Sequence, residues 1–221
     1  MSRVAALFGA TGMVGGRLLR QLAADPRWSR VICVVRRAGA IDPTDKVVVE
    51  VDPALALATE HVDDVFVALG TTIKKAGSQE AFRAVDLDAV VAAARAGRER
   101  GATGVFLVSA VGADPRSRVF YSRTKGQAEE ALRGLGFEVC VFARPSFLDG
   151  ERAESRPGER VGIALGNALS FAMVGGLRRY RPIRPEDVAA ALIAEAKDAT
   201  PRTVALESDE LAARAKAAGA G

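Results

Sequence analysis

Gly9-Ala10-Thr11-Gly12-Met13-Val14-Gly15 follows the apolar run Val4 to Phe8 and leads into a helical pattern from about Gly16 to Ala24. A strand, a glycine turn and a helix in that order form the first unit of a dinucleotide-binding fold. Gly9 and Gly12 carry no Cβ, so the turn can tighten and its backbone can approach a pyrophosphate, while Gly15 lets the helix pack on its strand. Free N–H groups and the positive end of the helix macrodipole suit an anion at this point. The turn residues Thr11, Met13 and Val14 join the three glycines as cofactor-binding candidates. The glycines are spaced three and three, against two and three in the common fingerprint. An ordinary glycine-rich turn therefore stays open as a reading until residues further on are weighed.

The chain has 221 residues, 49% of them hydrophobic, enough for a full core in one domain. Its 31 Lys and Arg are interleaved with 27 Asp and Glu, for a net charge of +4. With no polybasic tract or aromatic-basic stripe, nucleic acid is excluded as the expected partner. Cys33 and Cys140 each lie in an apolar strand-like run and read as buried thiols rather than a disulfide. No secretory signal is read at the start of the chain, and a cytoplasmic setting is the expectation.

Strand-like and helix-like periods alternate through the first two thirds, the pattern of a parallel sheet. Strands are expected at Val4 to Phe8, Val31 to Val35, Val47 to Val51, Val65 to Leu69, Val105 to Val108 and Val139 to Phe142. Their near-continuous β-branched character suits strands covered on both faces. Helices are expected at Gly16 to Ala24, ending near Arg100, and from Tyr121 to Leu135, with Gly101 and Gly136 as caps. Ala38 to Lys46 is too polar and too rich in breakers for a helix. After Gly150, Arg152 to Arg160 reads as a surface loop and Ile163 to Leu177 as an apolar stretch. That stretch is too short to span a membrane, and packing in a lobe, lining an apolar pocket or lying on a membrane surface all remain open for it. Pro185 opens a helix to about Lys197, and Val204 to Leu206 gives a last strand before a fraying Ala-rich tail.

About 20 residues after the glycines, an acid would select NAD and an arginine would accommodate a 2′-phosphate. Here the second strand ends in Arg36-Arg37, with no carboxylate before Asp42, and the expected cofactor is NADP rather than NAD. Asp52, after the third strand, can contact an adenine edge or cap the turn before Pro53. Ligands in open α/β sheets lie beyond the C-terminal strand ends, which places Leu69, Gly70 and Thr71 beside the nicotinamide half. Tyr121 and Lys125 are i and i+4 and project from one helix face. His61 follows Glu60 in a polar segment and reads as a surface residue, and no Cys/His metal cluster is seen.

With these residues in view, the chain resembles the short-chain dehydrogenase/reductase superfamily over nearly its whole length. The Gly-x-x-Gly-x-x-Gly turn, Leu69 to Thr72, Ser109, Tyr121-x-x-x-Lys125, Arg144-Pro145 and Arg156 to Glu159 are similar to the atypical branch that includes Tat-interacting-protein-like oxidoreductases. The resemblance implies a catalytic set of Tyr121 as general acid/base, Lys125 holding the ribose and favouring phenolate, and Ser109 orienting a substrate carbonyl. It also implies Pro145, Ser146, Phe147 and Leu148 in a loop beside the nicotinamide. Many relatives carry an asparagine where this chain has Asp86, on an otherwise apolar face. A buried carboxylate there needs a partner. It reads either as a lysine-orienting or relay group, or as a cap or kink between two helices.

The expected architecture is a doubly wound, mainly parallel α/β (Rossmann) sheet of about seven strands, with residues 150–221 contributing a small substrate-side lobe. The expected activity is NADP-dependent hydride transfer to or from a small carbonyl or alcohol, by a monomer or homodimer. A cofactor-binding regulator without turnover, and an epimerase or dehydratase, are the alternatives.

Overall fold

In the computed structural model, residues 2–149 and 175–219 are described. The chain runs β1 (Arg3–Phe8), α1 (Met13–Ala24), β2 (Trp28–Val35), β3 (Val47–Val51), β4 (Asp64–Val67), α2 (Ile73–Ala76) and α3 (Gln79–Arg83). A π-helical turn, Ala84–Asp88, joins α3 to α4 (Ala89–Glu99). Then come β5 (Gly104–Val108), α5 (Phe120–Arg133), β6 (Val139–Arg144), a 3-10 turn Gly175–Tyr180, α6 (Pro185–Glu195), β7 (Arg202–Glu207) and α7 (Ser208–Gly219).

Seven strands form one sheet in the order β3-β2-β1-β4-β5-β6-β7, and every pairing is parallel. Apolar side chains on both sides of the strands explain why the sequence reads as continuous hydrophobic runs. One layer packs Leu18, Leu22, Val188, Leu192 and Leu211 over Phe66 and Phe106, whose rings stack at 4.8 Å. The other packs Val90, Ala93 and Leu132 over Phe8, Val65 and Phe142. The strand order reverses direction beside β1, where Phe8 is paired with Val34 of β2 and Val67 of β4. In open α/β sheets ligands lie at such a reversal, beyond the C-terminal strand ends.

No helix forms between β2 and β3, as the breakers in Ala38 to Lys46 require. The expected fraying tail is instead α7: Glu210 accepts the Glu207 N–H at 2.9 Å and Leu211 is fully buried, so the helix is both capped and anchored. Of the stretch expected to make a lobe, residues 185–219 supply α6, β7 and α7 to the sheet and its covering layer. The charged loop with Arg156 to Glu159, and Ile163 to Leu177 up to residue 174, lie outside the described residues.

Candidate functional site

The glycine turn leaves β1 with Gly9 at φ +86°, where a Cβ would lie 2.5 Å from the Ala68 carbonyl oxygen of the β4 end. At Gly15 a Cβ would fall 1.9 Å from the Gly9 carbonyl oxygen, so α1 starts hard against the turn. Gly12 donates to Gly9 O at 2.9 Å, and the first helical bond runs from Gly16 N to Gly12 O. Gly12 is the N-cap and brings no side-chain acceptor, and the first turn, including Met13 and Val14, holds no acid. Its N–H groups are thus left to an external anion, with Thr11 exposed beside them. This cradle fits a pyrophosphate.

Arg36 and Arg37 follow directly on β2, are exposed, and pair with no acid among the described residues. The Asp52 N–H donates to Val35 O, while its Oδ1 accepts from the N–H groups of Ala54 (2.7 Å) and Ala56 (3.2 Å). That oxygen caps the turn, the plainer of the two readings open for this residue.

At the β4 end the site is built around a buried ion pair. Asp86 stands in the π-helical turn, 1% exposed, and its Oδ1 lies 2.7 Å from Nζ of Lys125, itself 5% exposed. Its Oδ2 accepts the Thr71 N–H at 2.9 Å. A Cβ on Gly70 would sit 3.3 Å from Asp86 Oδ1 and 3.6 Å from Lys125 Nζ, so a bare backbone roofs the pair. The kink and the lysine partner, entertained separately for Asp86, are one feature. The wider turn aims the carboxylate off the sheet-facing stripe of α4 and at α5. Tyr121, one turn before Lys125, rests its ring against Phe82 of α3 at 5.5 Å between centroids.

Ser109 is placed differently. It follows β5, is 5% exposed, and donates its hydroxyl to Glu129 Oε1 at 2.7 Å. Glu129 is fully buried and also accepts from Arg144 Nε (2.9 Å), Arg144 Nη2 (2.6 Å) and Arg133 Nη2 (3.2 Å). Its carboxylate raises the basicity of Arg144 further, and burial pushes the nearby Glu207 carboxyl above its ordinary range. Sequence reasoning missed Glu129, although it extends the Tyr121 and Lys125 stripe by another i+4 step.

Pro145, Ser146, Phe147 and Leu148 form the loop leaving β6. The Ser146 N–H donates to Ser208 Oγ at 2.9 Å, its hydroxyl donates to Arg181 O at 2.5 Å, and Phe147 O accepts the Ile183 N–H at 3.0 Å. The Phe147 side chain stands 76% exposed on this tethered loop. The structure thus brings Gly70, Thr71, Asp86 and Lys125 together, sets Tyr121 one helical turn before Lys125 with its ring on Phe82, and turns Ser109 toward Glu129. His61 is exposed and lies 3.2 Å from Asp63, and no cluster able to hold a metal occurs among the described residues. Both cysteines are free and buried, and burial pushes the Cys33 thiol up to about 12. No helix among the described residues is long and apolar enough to cross a membrane.

A family model described as NAD(P)H-binding matches residues 9–199. A curated protein of Emericella nidulans, named protein fmp52, mitochondrial, is 38% identical over 175 residues, spanning 74% of this chain and 75% of that one. Protein FMP52, mitochondrial, of Saccharomyces cerevisiae is 34% identical over 181 residues, spanning 79% and 75%. Among solved structures, MoeE5 in complex with UDP-glucose and NAD superposes with a TM-score of 0.68 at 18% identity, covering 99% of this chain and 82% of that one. A short-chain dehydrogenase from Streptomyces avermitilis gives 0.62 at 19% identity, covering 98% and 92%. These likenesses in structure carry the fold alone. The relatives' names correct the cytoplasmic expectation and point to mitochondria. Free, buried thiols suit a reducing compartment but do not distinguish one such compartment from another.

Proposed function

Because the chain belongs to the NAD(P)H-binding family, with a fold of short-chain dehydrogenase/reductase type, we propose that it is an NADP-dependent oxidoreductase acting on a small carbonyl or alcohol in a mitochondrial setting. The cofactor, when bound, gives or takes the hydride. The chain's own residues do the rest. The turn Gly9 to Gly15 and the first turn of α1 hold the pyrophosphate, Arg36 and Arg37 take the 2′-phosphate, and Leu69 to Thr71 with Pro145 to Leu148 flank the nicotinamide half. Tyr121 holds or gives the proton at the substrate oxygen.

The observation that carries this reading is the placement of Lys125. An ammonium has three donors. Asp86 faces it from one side, which fixes the head group under Gly70 and leaves donor capacity for ribose hydroxyls and the Tyr121 oxygen. A regulator that binds the cofactor without turnover is favoured by one feature of the same pair. Asp86 already holds the Lys125 ammonium in an ion pair within the fold, a contact that needs no substrate to form.

Single-turnover oxidation of NADPH against a panel of small aldehydes and ketones separates the two. The oxidoreductase reading expects Tyr121→Phe to lose about 10² to 10⁴ in rate while NADPH affinity holds within a few-fold. No reduction of any carbonyl by the parent protein would favour the regulator, and equal rates for parent and Tyr121→Phe would remove Tyr121 from its assigned role.

A further inference from the structure

We infer that Ser109 is a positioning residue: its hydroxyl serves Glu129, and Glu129 acts through Arg144 to set the Pro145 to Leu148 loop, leaving the hydrogen bond to a bound carbonyl oxygen to Tyr121. The inference rests on the oxidoreductase reading for what the loop flanks, but the contacts themselves do not.

A serine hydroxyl has one proton to donate. In Ser109 that proton points at a fully buried carboxylate 2.7 Å away, a charge-assisted bond stronger than one to a neutral carbonyl. The backbone agrees with the side chain: the Ser109 N–H donates to Ala143 O of β6 at 2.7 Å, and the Val111 N–H donates to Pro145 O at 3.0 Å. Ser109 is thereby stitched to the strand that carries Arg144 and to the helix that carries Glu129. Arg144, the last residue of β6, meets Glu129 with two donors, the bidentate geometry that fixes a guanidinium in direction as well as distance. The loop that follows is tied again at Ser146, to Ser208 and Arg181. It is held from both sides. The Glu129 cluster is the tie nearer α5, the helix of Tyr121 and Lys125, so loosening it should shift the loop against those two residues.

The test compares Ser109→Ala, Ser109→Thr, Glu129→Gln and the Ser109→Ala, Glu129→Gln double variant with the parent. Three readouts are taken: the melting midpoint, NADPH affinity from nicotinamide fluorescence, and single-turnover rate with its pH profile on any carbonyl the parent reduces. Positioning predicts that Ser109→Ala and Glu129→Gln each weaken NADPH by about three- to ten-fold and lower the melting midpoint, with the double variant little worse than Glu129→Gln because both remove one shared interaction. Ser109→Thr, which keeps a hydroxyl, should restore affinity. The rate at saturating cofactor should fall less than about ten-fold in Ser109→Ala, with an unchanged pH profile. A serine that binds the carbonyl predicts the reverse: a loss of about a hundred-fold or more in rate, with melting and NADPH affinity unmoved, which would overturn the inference. If Glu129→Gln does not fold, the Ala and Thr variants of Ser109 decide alone. If the parent reduces no carbonyl, the oxidoreductase reading fails while melting and NADPH affinity still decide whether Ser109 and Glu129 act as one unit.

Discussion

The two ends of the sheet each bury an aspartate, and they treat it differently. At the N-terminal end Asp64 opens β4, 1% exposed, and Arg3 meets it with Nη2 on Oδ1 (2.5 Å) and Nε on Oδ2 (2.7 Å), while the Trp28 indole donates to Oδ2 at 2.8 Å. Every strong contact there is closed. At the C-terminal end Asp86 meets a lysine, and the Oδ1 that lies 2.7 Å from Nζ accepts no well-aligned hydrogen bond. A guanidinium fork fits a carboxylate and fixes it, whereas an ammonium is a point charge with donors left over. The same contrast runs through the cations. Arg3 is paired, but Arg36 and Arg37 are not paired with any acid among the described residues, and α1 begins there without a side-chain cap. The C-terminal end has a closed fork of its own, Arg144 on Glu129, but beside it the Asp86–Lys125 pair, Arg36, Arg37 and the start of α1 leave donors open to a ligand.

The largest effect expected from this contrast is at Asp86. Removing it in Asp86→Ala leaves Lys125 buried and uncompensated, which costs about 3 to 5 kcal/mol of stability. Adding Lys125→Met should recover most of that stability without recovering cofactor affinity. Urea unfolding and an NADPH titration on both variants check this. Stability recovered together with cofactor affinity would break the comparison, because Lys125 would then serve the fold only.

Asp64→Asn is the counterpart at the closed end. The Arg3 side chain is 30% exposed and can turn to water, so the expected cost is smaller, about 1 to 3 kcal/mol in urea unfolding. NADPH affinity should not change. A change in it would mean that the closed end is coupled to the site across the length of the sheet.

Arg36→Ala or Arg37→Ala probes the unpaired cations. Losing a charge-assisted contact to a 2′-phosphate should weaken NADPH by about ten-fold, near 1.4 kcal/mol, and leave NADH almost unaffected. Titration calorimetry with both cofactors reads this directly. Equal affinity of the parent for NADPH and NADH would remove the reason for placing these arginines in the site.

What the sequence made legible is what is local along the chain. Gly9 to Gly15 announces itself because strand, turn and helix are contiguous, and Tyr121 with Lys125 because one helical turn separates them. The buried pairs were harder. Lys125 and Asp86 come from different helices, and Asp86 reaches its partner only through the π-helical turn Ala84–Asp88, which a 3.6-residue period does not reveal. Ser109 shows the limit of a motif: it stands at the expected strand end, yet its hydroxyl answers to Glu129, 20 residues on. The tail from Ser208 was misread because Ala-rich composition says little about the one side chain, Leu211, that anchors it. Compartment was not legible at all, since nothing in the core or the site records it.

The smallest effect belongs to an exposed pair between two helices, and it sets the scale for the others. Arg17 of α1 meets Glu186 of α6 at 2.6 Å, with the side chains 33% and 44% exposed. The Arg17 hydrogen bond, helped by the Glu186 backbone, holds the Glu186 carboxyl below its ordinary value of 4.5. A carboxyl whose folded value is depressed contributes stability that is present above the unfolded value and lost as pH falls through the folded one. The pair is exposed enough for water and salt to screen it, which limits its contribution to about 0 to 1 kcal/mol. Glu186→Gln should therefore melt slightly below the parent at neutral pH, and the two curves should converge as the pH drops below 4.5. Added salt should close the same gap at neutral pH. A gap that persists in acid would assign the effect to packing between α1 and α6 rather than to charge, and a gap as large as that of Asp86→Ala would break the distinction between a buried, unfinished pair and an ordinary surface one.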